Sequence, residues 1–151
     1  MSGTSLDGLD LAYITFTFLK NKWEYELGEC KTISYPDFWQ KKLKNLFSKS
    51  EEYILETDNN YGKNLSEWVN SFIKENKLKV DLICSHGHTI FHEPQKKITL
   101  QIGNGNIISQ ECEKAVVFDF RSKDVELGGQ GAPLVPVGDH LLFANYKYCL
   151  N

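Results

Sequence analysis

Residues 9–18 read LDLAYITFTF. Ala12, Ile14, Phe16 and Phe18 fall on one side of this stretch, and Tyr13, Thr15 and Thr17 on the other. A period of two sends successive side chains to opposite faces of an extended chain, so Leu9–Phe18 is predicted as a strand. Lys20-Asn21-Lys22 reads as a turn, and Trp23 to Leu27 alternates again, which makes a hairpin. A third strand over Glu29–Ser34 would complete an antiparallel meander.

Outward from the hairpin, the period changes. Trp39, Leu43, Leu46 and Phe47 share one helical face. Leu65, Trp68, Val69, Phe72 and Ile73 follow the helical spacing closely, in a helix that begins near Glu51 and contains Gly62. These aromatics read as core. Val80–Cys84 is a short apolar run, expected to be a strand buried on both faces. Ile98–Ile102 and Ala115–Phe118 are further strands, with a helix from about Asn106 to Cys112 between them. Leu134–Phe143 reads as a last helix, and Tyr146–Leu150 as the start of a strand. Hairpin strands, helices, then alternating strands and helices predict an α/β fold in which a mixed sheet is covered by helices.

The 151 residues suit one domain with a sizeable core. A net charge of −3 argues against a nucleic-acid or membrane-surface protein, which carries a basic excess. Lys41, Lys42 and Lys44 read as a solvated helix face. Cys30, Cys84, Cys112 and Cys149 form no CxxC pair and no disulfide framework. Cys84 and Cys149 sit in apolar runs and are expected to be buried thiols, as suits a reducing cytoplasm. There is no secretory leader pattern and no apolar run long enough to span a bilayer.

Three segments carry chemistry. Gly3-Thr4-Ser5-Leu6-Asp7-Gly8-Leu9-Asp10 puts glycines, hydroxyls and carboxylates ahead of the first strand. Glycines let backbone amides approach an anion, and the carboxylates can hold a magnesium ion or its waters. It is not a Walker A loop, because no Gly-Lys-Ser/Thr follows. A plain polar turn is the other reading. Ser85-His86-Gly87-His88-Thr89, with His92 beyond, follows a strand, where ligand groups of α/β sheets gather. Hydrogen bonding to a polyhydroxy ligand, a structural role at a strand end and a histidine metal site are the three readings. His86 and His88 would point to one side if the chain stayed extended. In Asp119-Phe120-Arg121-Ser122-Lys123-Asp124, Asp124 either acts on a sugar hydroxyl or water, or pairs with Arg121. Gly128-Gly129-Gln130-Gly131-Ala132-Pro133 follows as a glycine loop, suited to close approach by a ligand or another backbone.

Taken together, MSGTSLDGLD, SHGHTIFHEP, ITLQIGN and DFRSKDVELGGQGAPLVP stand in an order that resembles the anhydro-N-acetylmuramic acid kinases, from residue 1 to about Pro136. The resemblance implies a ribonuclease-H-like lobe of the actin-like ATPase superfamily, with residues 1–151 as the amino-terminal lobe. The family's short first strand and carboxyl-terminal lobe would lie outside these residues. It implies ATP and Mg2+ as cofactors and 1,6-anhydro-N-acetylmuramic acid as substrate, in cytoplasmic cell-wall recycling. The expected product is N-acetylmuramate 6-phosphate.

Carried onto this chain, the resemblance assigns Gly3, Thr4, Ser5, Leu6, Asp7, Gly8, Leu9 and Asp10 to the ATP phosphates, with Asp7 toward magnesium. It assigns Ser85, His86, His88, Arg121 and Gln130 to the sugar, and Asp124 to a supporting catalytic role. His88 stands where the family more often has glutamine; at Asn104 asparagine is also found in the family. The family's general base looks to be the aspartate of an Asp-x-Gly-Pro-Gly segment, which these residues do not contain. The polypeptide by itself is therefore expected to be inactive and to self-associate or form a homodimer. The competing reading is a non-catalytic sugar-binding or pseudokinase module.

Overall fold

The structure, a computed structural model, describes residues 6–148. Gly3, Thr4, Ser5 and Cys149 therefore lie outside the described residues. The chain begins with a long hairpin, β1 (Gly8–Leu19) against β2 (Lys22–Ser34). The turn rests on Lys20 and Asn21, both at positive φ. No third strand follows: Glu29–Ser34 is the far half of β2. A bulge sets Gly28 and Glu29 opposite Tyr13, so the ladder shifts register and continues instead of turning back.

Past the bulge the ribbon has two unlike faces. Ile14, Phe16 and Phe18 sit opposite Leu27, Tyr25 and Trp23, while Thr15 and Thr17 sit opposite Glu26 and Glu24. The alternation read from the sequence holds, but most of this apolar face stays exposed, with Phe16 55% and Leu27 60% exposed, while Phe143 meets Tyr25 edge-on at 5.7 Å between ring centres.

Helix α1 (Asp37–Lys44) buries Trp39 and Leu43. It stops before Leu46, which continues the core from a 3-10 turn, while Phe47 is 63% exposed. The expected common face thus breaks at the helix end. Helix α2 (Glu51–Glu75) is the spine. Ser50 caps it by accepting from the Tyr53 amide at 3.4 Å, Glu51 and Glu52 lie in the first turn, and Lys74 in the last. Each placement favours the helix dipole. Its inward stripe runs through Ile54, Thr57, Tyr61, Leu65 and Phe72. Tyr61 meets Tyr35 through a hydroxyl–hydroxyl bond of 2.5 Å and Trp39 edge-on at 5.0 Å between ring centres.

The remaining elements are β3 (Leu82–Ser85), β4 (His88–Glu93), β5 (Ile98–Ile102), α3 (Gly105–Cys112), β6 (Ala115–Phe118), α4 (Ser122–Glu126) and α5 (Pro136–Phe143). β3 pairs with β6 in parallel, and β4 with β5 antiparallel. Parallel and antiparallel pairing are both present, as predicted. Among the described residues, however, they form three two-stranded sheets and not one continuous sheet.

Nor is β3 buried on both faces: Leu82 is 48% exposed, and Cys84 is exposed too. Helices cover only part of the β3–β6 pair among the described residues, so the apolar run does not translate into full burial. Helix α5 starts at Pro136, where the missing N–H is no loss. Tyr146–Tyr148 are not a strand, and the rest of that expected strand lies outside the described residues.

Candidate functional site

Parallel pairing sets Ser85 beside Phe118, so β3 and β6 end side by side. The chain leaves β3 through His86 and β6 through Asp119, and both line one hollow of about 250 Å³. Its opposite wall is Gln101 to Asn106, at the junction of β5 and α3, with Asp58 reaching in from α2.

Asp58 organises that wall. Its carboxylate accepts from the Gly103 amide at 2.6 Å, and its carbonyl from the Asn104 amide at 3.4 Å. Burial pushes its carboxyl pKa up, and the Gly103 and Asn104 amides partly offset this. Asn104 donates to Asn59 Oδ1 at 2.8 Å and caps α3 by accepting from the amides of Asn106 and Ile107. Two amides at the amino end of α3 are therefore already satisfied by a side chain. Gln101 donates to Thr99 Oγ1 at 2.9 Å, and its side-chain oxygen is buried without a partner among the described residues. On the far side Asp119 holds the first residue of α4, accepting from the Ser122 amide and, at 2.6 Å, from the Ser122 hydroxyl.

His86 is held from both sides of its ring. Nε2 accepts from Arg121 Nε at 3.0 Å and faces Nη2 at 2.8 Å. Arginine only donates, so the ring proton is on Nδ1, which donates to the Gly87 carbonyl at 3.0 Å. Burial lowers the His86 pKa, and the Arg121 charge lowers it further.

Gly87 has φ +70, a turn that sends His86 and His88 into different surroundings instead of along one side. His88 is 4% exposed and lines a second hollow of about 270 Å³ with Leu6, Lys44 and Phe47. His92 is exposed and bonds Thr99 Oγ1 at 3.1 Å. The three imidazoles do not converge, which removes the geometric basis of the histidine metal reading.

The other expected residues divide. Ser85 and His86 line the first hollow, and Arg121 stands behind His86. Arg121 and Asp124 do not pair; both bind Gly131, through its carbonyl at 2.5 Å and its amide at 2.7 Å respectively. Gln130 is exposed in the same loop and lines neither hollow. In the first segment, Leu6 lines the second hollow, Leu9 is core at 5% exposure, and Gly8 is buried in the ladder opposite Ser34. Asp7 is exposed, and Asp10 accepts from Thr32 Oγ1 at 2.6 Å across the hairpin.

Sequence reasoning missed Asp58. The available signal was Gly62, one helical turn further on. A Cβ there would sit 3.0 Å from both the amide nitrogen and the carbonyl oxygen of Asn104, so a glycine inside α2 marks where the β5–α3 junction touches the helix.

This chain matches the family described as anhydro-N-acetylmuramic acid kinase over residues 1–150. Among similar proteins, the anhydro-N-acetylmuramic acid kinase of Pseudoalteromonas translucida is 36% identical over 96% of this chain and 40% of its own length. That of Pelagibacter ubique is 38% identical over 97% of this chain and 41% of its own length. That of Pseudomonas fluorescens is 38% identical over 95% and 40%. The chain thus spans about two fifths of the length of these curated relatives. With a match along nearly its whole length, the chain belongs to the anhydro-N-acetylmuramic acid kinase family.

Proposed function

We propose that this polypeptide provides the sugar-binding wall of an ATP-dependent kinase acting on 1,6-anhydro-N-acetylmuramic acid. One observation carries the reading: three segments distant in sequence, residues 85–87, residues 99–106, and Phe118 and Asp119 with Ser122, line a single polar hollow. The Asn106 and Ile107 amides of α3 are already taken by Asn104, and two carboxylates, Asp58 and Asp119, line the walls. Such a surface suits hydroxyl and amide groups better than a phosphate. The orphaned Gln101 oxygen is an acceptor waiting for a hydroxyl or N–H.

In the reaction so read, water adds at the anomeric carbon and the bond from that carbon to O6 breaks. O6 takes the γ-phosphoryl group of ATP, leaving ADP and N-acetylmuramate 6-phosphate. A carboxylate must take the water's proton. Asp124 is a poor candidate, because its Oδ2 already accepts from the Gly131 amide. For the phosphates and magnesium, the carboxylate of the exposed Asp7 would serve as a ligand through water. Among the described residues no cluster of three His, Cys, Asp or Glu side chains forms a metal cage, so magnesium would be held chiefly by phosphate oxygens. Magnesium offsets phosphate charge in such a transfer. With ATP as the phosphoryl donor, the reading puts the reaction in the cytoplasm.

The test is an NMR titration of the chain with 1,6-anhydro-N-acetylmuramic acid. The side-chain amides of Gln101 and Asn106 should shift, with weak affinity and no conversion of ATP to ADP by the 151-residue chain alone. Unmoved amides at saturating sugar would end the reading. Tight binding without turnover would instead favour a dedicated sugar-binding module.

A further inference from the structure

Arg121 and the glycine loop that follows α4 form a linkage that the sugar reading does not use. The Arg121 guanidinium spans two partners. One edge faces His86 Nε2, at 3.0 Å from Nε and 2.8 Å from Nη2, and Nη1 donates to the Gly131 carbonyl at 2.5 Å. The Gly131 amide in turn donates to Asp124 Oδ2 at 2.7 Å, and the Gly129 amide to the Asp124 carbonyl at 2.7 Å. Gly131 is therefore gripped at both its amide and its carbonyl. It is buried at φ +63, and a Cβ there would come within 2.7 Å of Val125 Cγ2, so only glycine fits. Its neighbour Gln130 is left exposed.

We propose that Arg121 is a positioning residue: it ties the loop 128–133, through Gly131, to the wall of the hollow made by His86. The planar fork is what the geometry requires. Its three nitrogens reach an imidazole nitrogen and a carbonyl oxygen at once, which the single ammonium of lysine does not reproduce. His86 serves as acceptor, and its Nδ1–H bond to the Gly87 carbonyl keeps Nε2 turned to Arg121. A ligand resting on His86 therefore bears on the group that holds the loop, and Gln130 is carried at a set place relative to it. This last consequence rests on the sugar reading of the hollow; the clamp itself does not.

The test is hydrogen exchange of the Gly131 amide in the whole 151-residue chain without ligand, with amides of α2 as the control for folding. His86→Gln keeps an acceptor for Arg121, and exchange should stay within about threefold of the parent. His86→Leu keeps bulk without an acceptor, and Arg121→Lys keeps charge without the fork. Both should exchange at least about tenfold faster at Gly131, as loss of charge-assisted bonds implies. Equal exchange in the Gln and Leu variants, or an Arg121→Lys variant as slow as the parent, overturns the proposal. If His86→Leu fails to fold, Arg121→Lys decides alone.

Adding 1,6-anhydro-N-acetylmuramic acid should shift the Gln101 side-chain amide in the parent and in Arg121→Lys, but slow Gly131 exchange only in the parent. Equal slowing in both overturns the coupling. If the sugar shifts nothing in the parent, the sugar reading falls, and the ligand-free comparison still decides the clamp.

Discussion

Replacing His88 by glutamine should reduce the acid sensitivity of this fold. His88 is 4% exposed, and burial lowers its pKa from 6.5 to about 4, with the neighbouring His86 adding to the shift. The folded state thus holds His88 neutral where the unfolded chain would protonate it. Its contribution to stability is present above the unfolded pKa of 6.5 and is lost as pH falls through the folded value of about 4. The whole shift corresponds to roughly 3 kcal/mol, of which about 2 kcal/mol is lost between pH 7 and pH 5. That is a large share of the 5–15 kcal/mol typical of a domain.

Glutamine can both donate and accept a hydrogen bond, as a neutral imidazole does, and it does not titrate. The assay is urea unfolding at pH 7 and pH 5, followed by fluorescence of Trp39 and Trp68 in and beside the core. Other groups titrate in both proteins and cancel in the comparison. His86, its pKa lowered mainly by burial, acts in the same direction as His88. Asp58, its pKa raised mainly by burial, acts oppositely, its contribution fading as pH rises through its folded pKa. The parent should lose about 2 kcal/mol more than His88→Gln over this interval. Parallel losses, within about 0.5 kcal/mol, would show that His88 is not held neutral by burial and would refute the reasoning.

Two further outcomes are expected. Leu46→Ala should destabilise the fold by about 2–4 kcal/mol, because Leu46 is 0% exposed, whereas Phe47→Ala next to it should change stability by under about 0.5 kcal/mol at 63% exposure; comparable effects in urea unfolding would contradict the break at the end of α1. The open ribbon face of Phe16, Phe18, Trp23 and Tyr25 should drive concentration-dependent self-association, and Phe16→Glu with Tyr25→Lys should reduce it; a parent that scatters light as a clean monomer at high concentration would count against it.

How much was legible in the sequence differed by element. β6 and β5 match their expected bounds, and the helix over Glu51–Glu75 matches its expected start and its content of Gly62. Local periodicity is enough for such elements, because each buries one repeating stripe. The bulge at Tyr13 and the single long β2 were not legible, since a register shift depends on what lies across the ladder. Nor was the exposure of β3, because an apolar run states a tendency to be covered and not whether anything covers it.

For the site, the segments around His86 and Asp119 could be named from residue types alone, and they do line one hollow. Asp58 could not, because a carboxylate on a long helix looks like a solvated face until the β5–α3 junction is laid against it.

By itself the sequence determined the α/β class, most of the helices and strands, the family and the polar segments of interest, all of them carried by short-range pattern or by residue order. Only tertiary structure decided that His86 and His88 part at Gly87, that Arg121 and Asp124 meet at Gly131 and not at each other, and that Asp58 completes the hollow. Those are statements about which groups come within hydrogen-bond reach. That reach is set by strand register and by how elements pack, which no local spacing encodes.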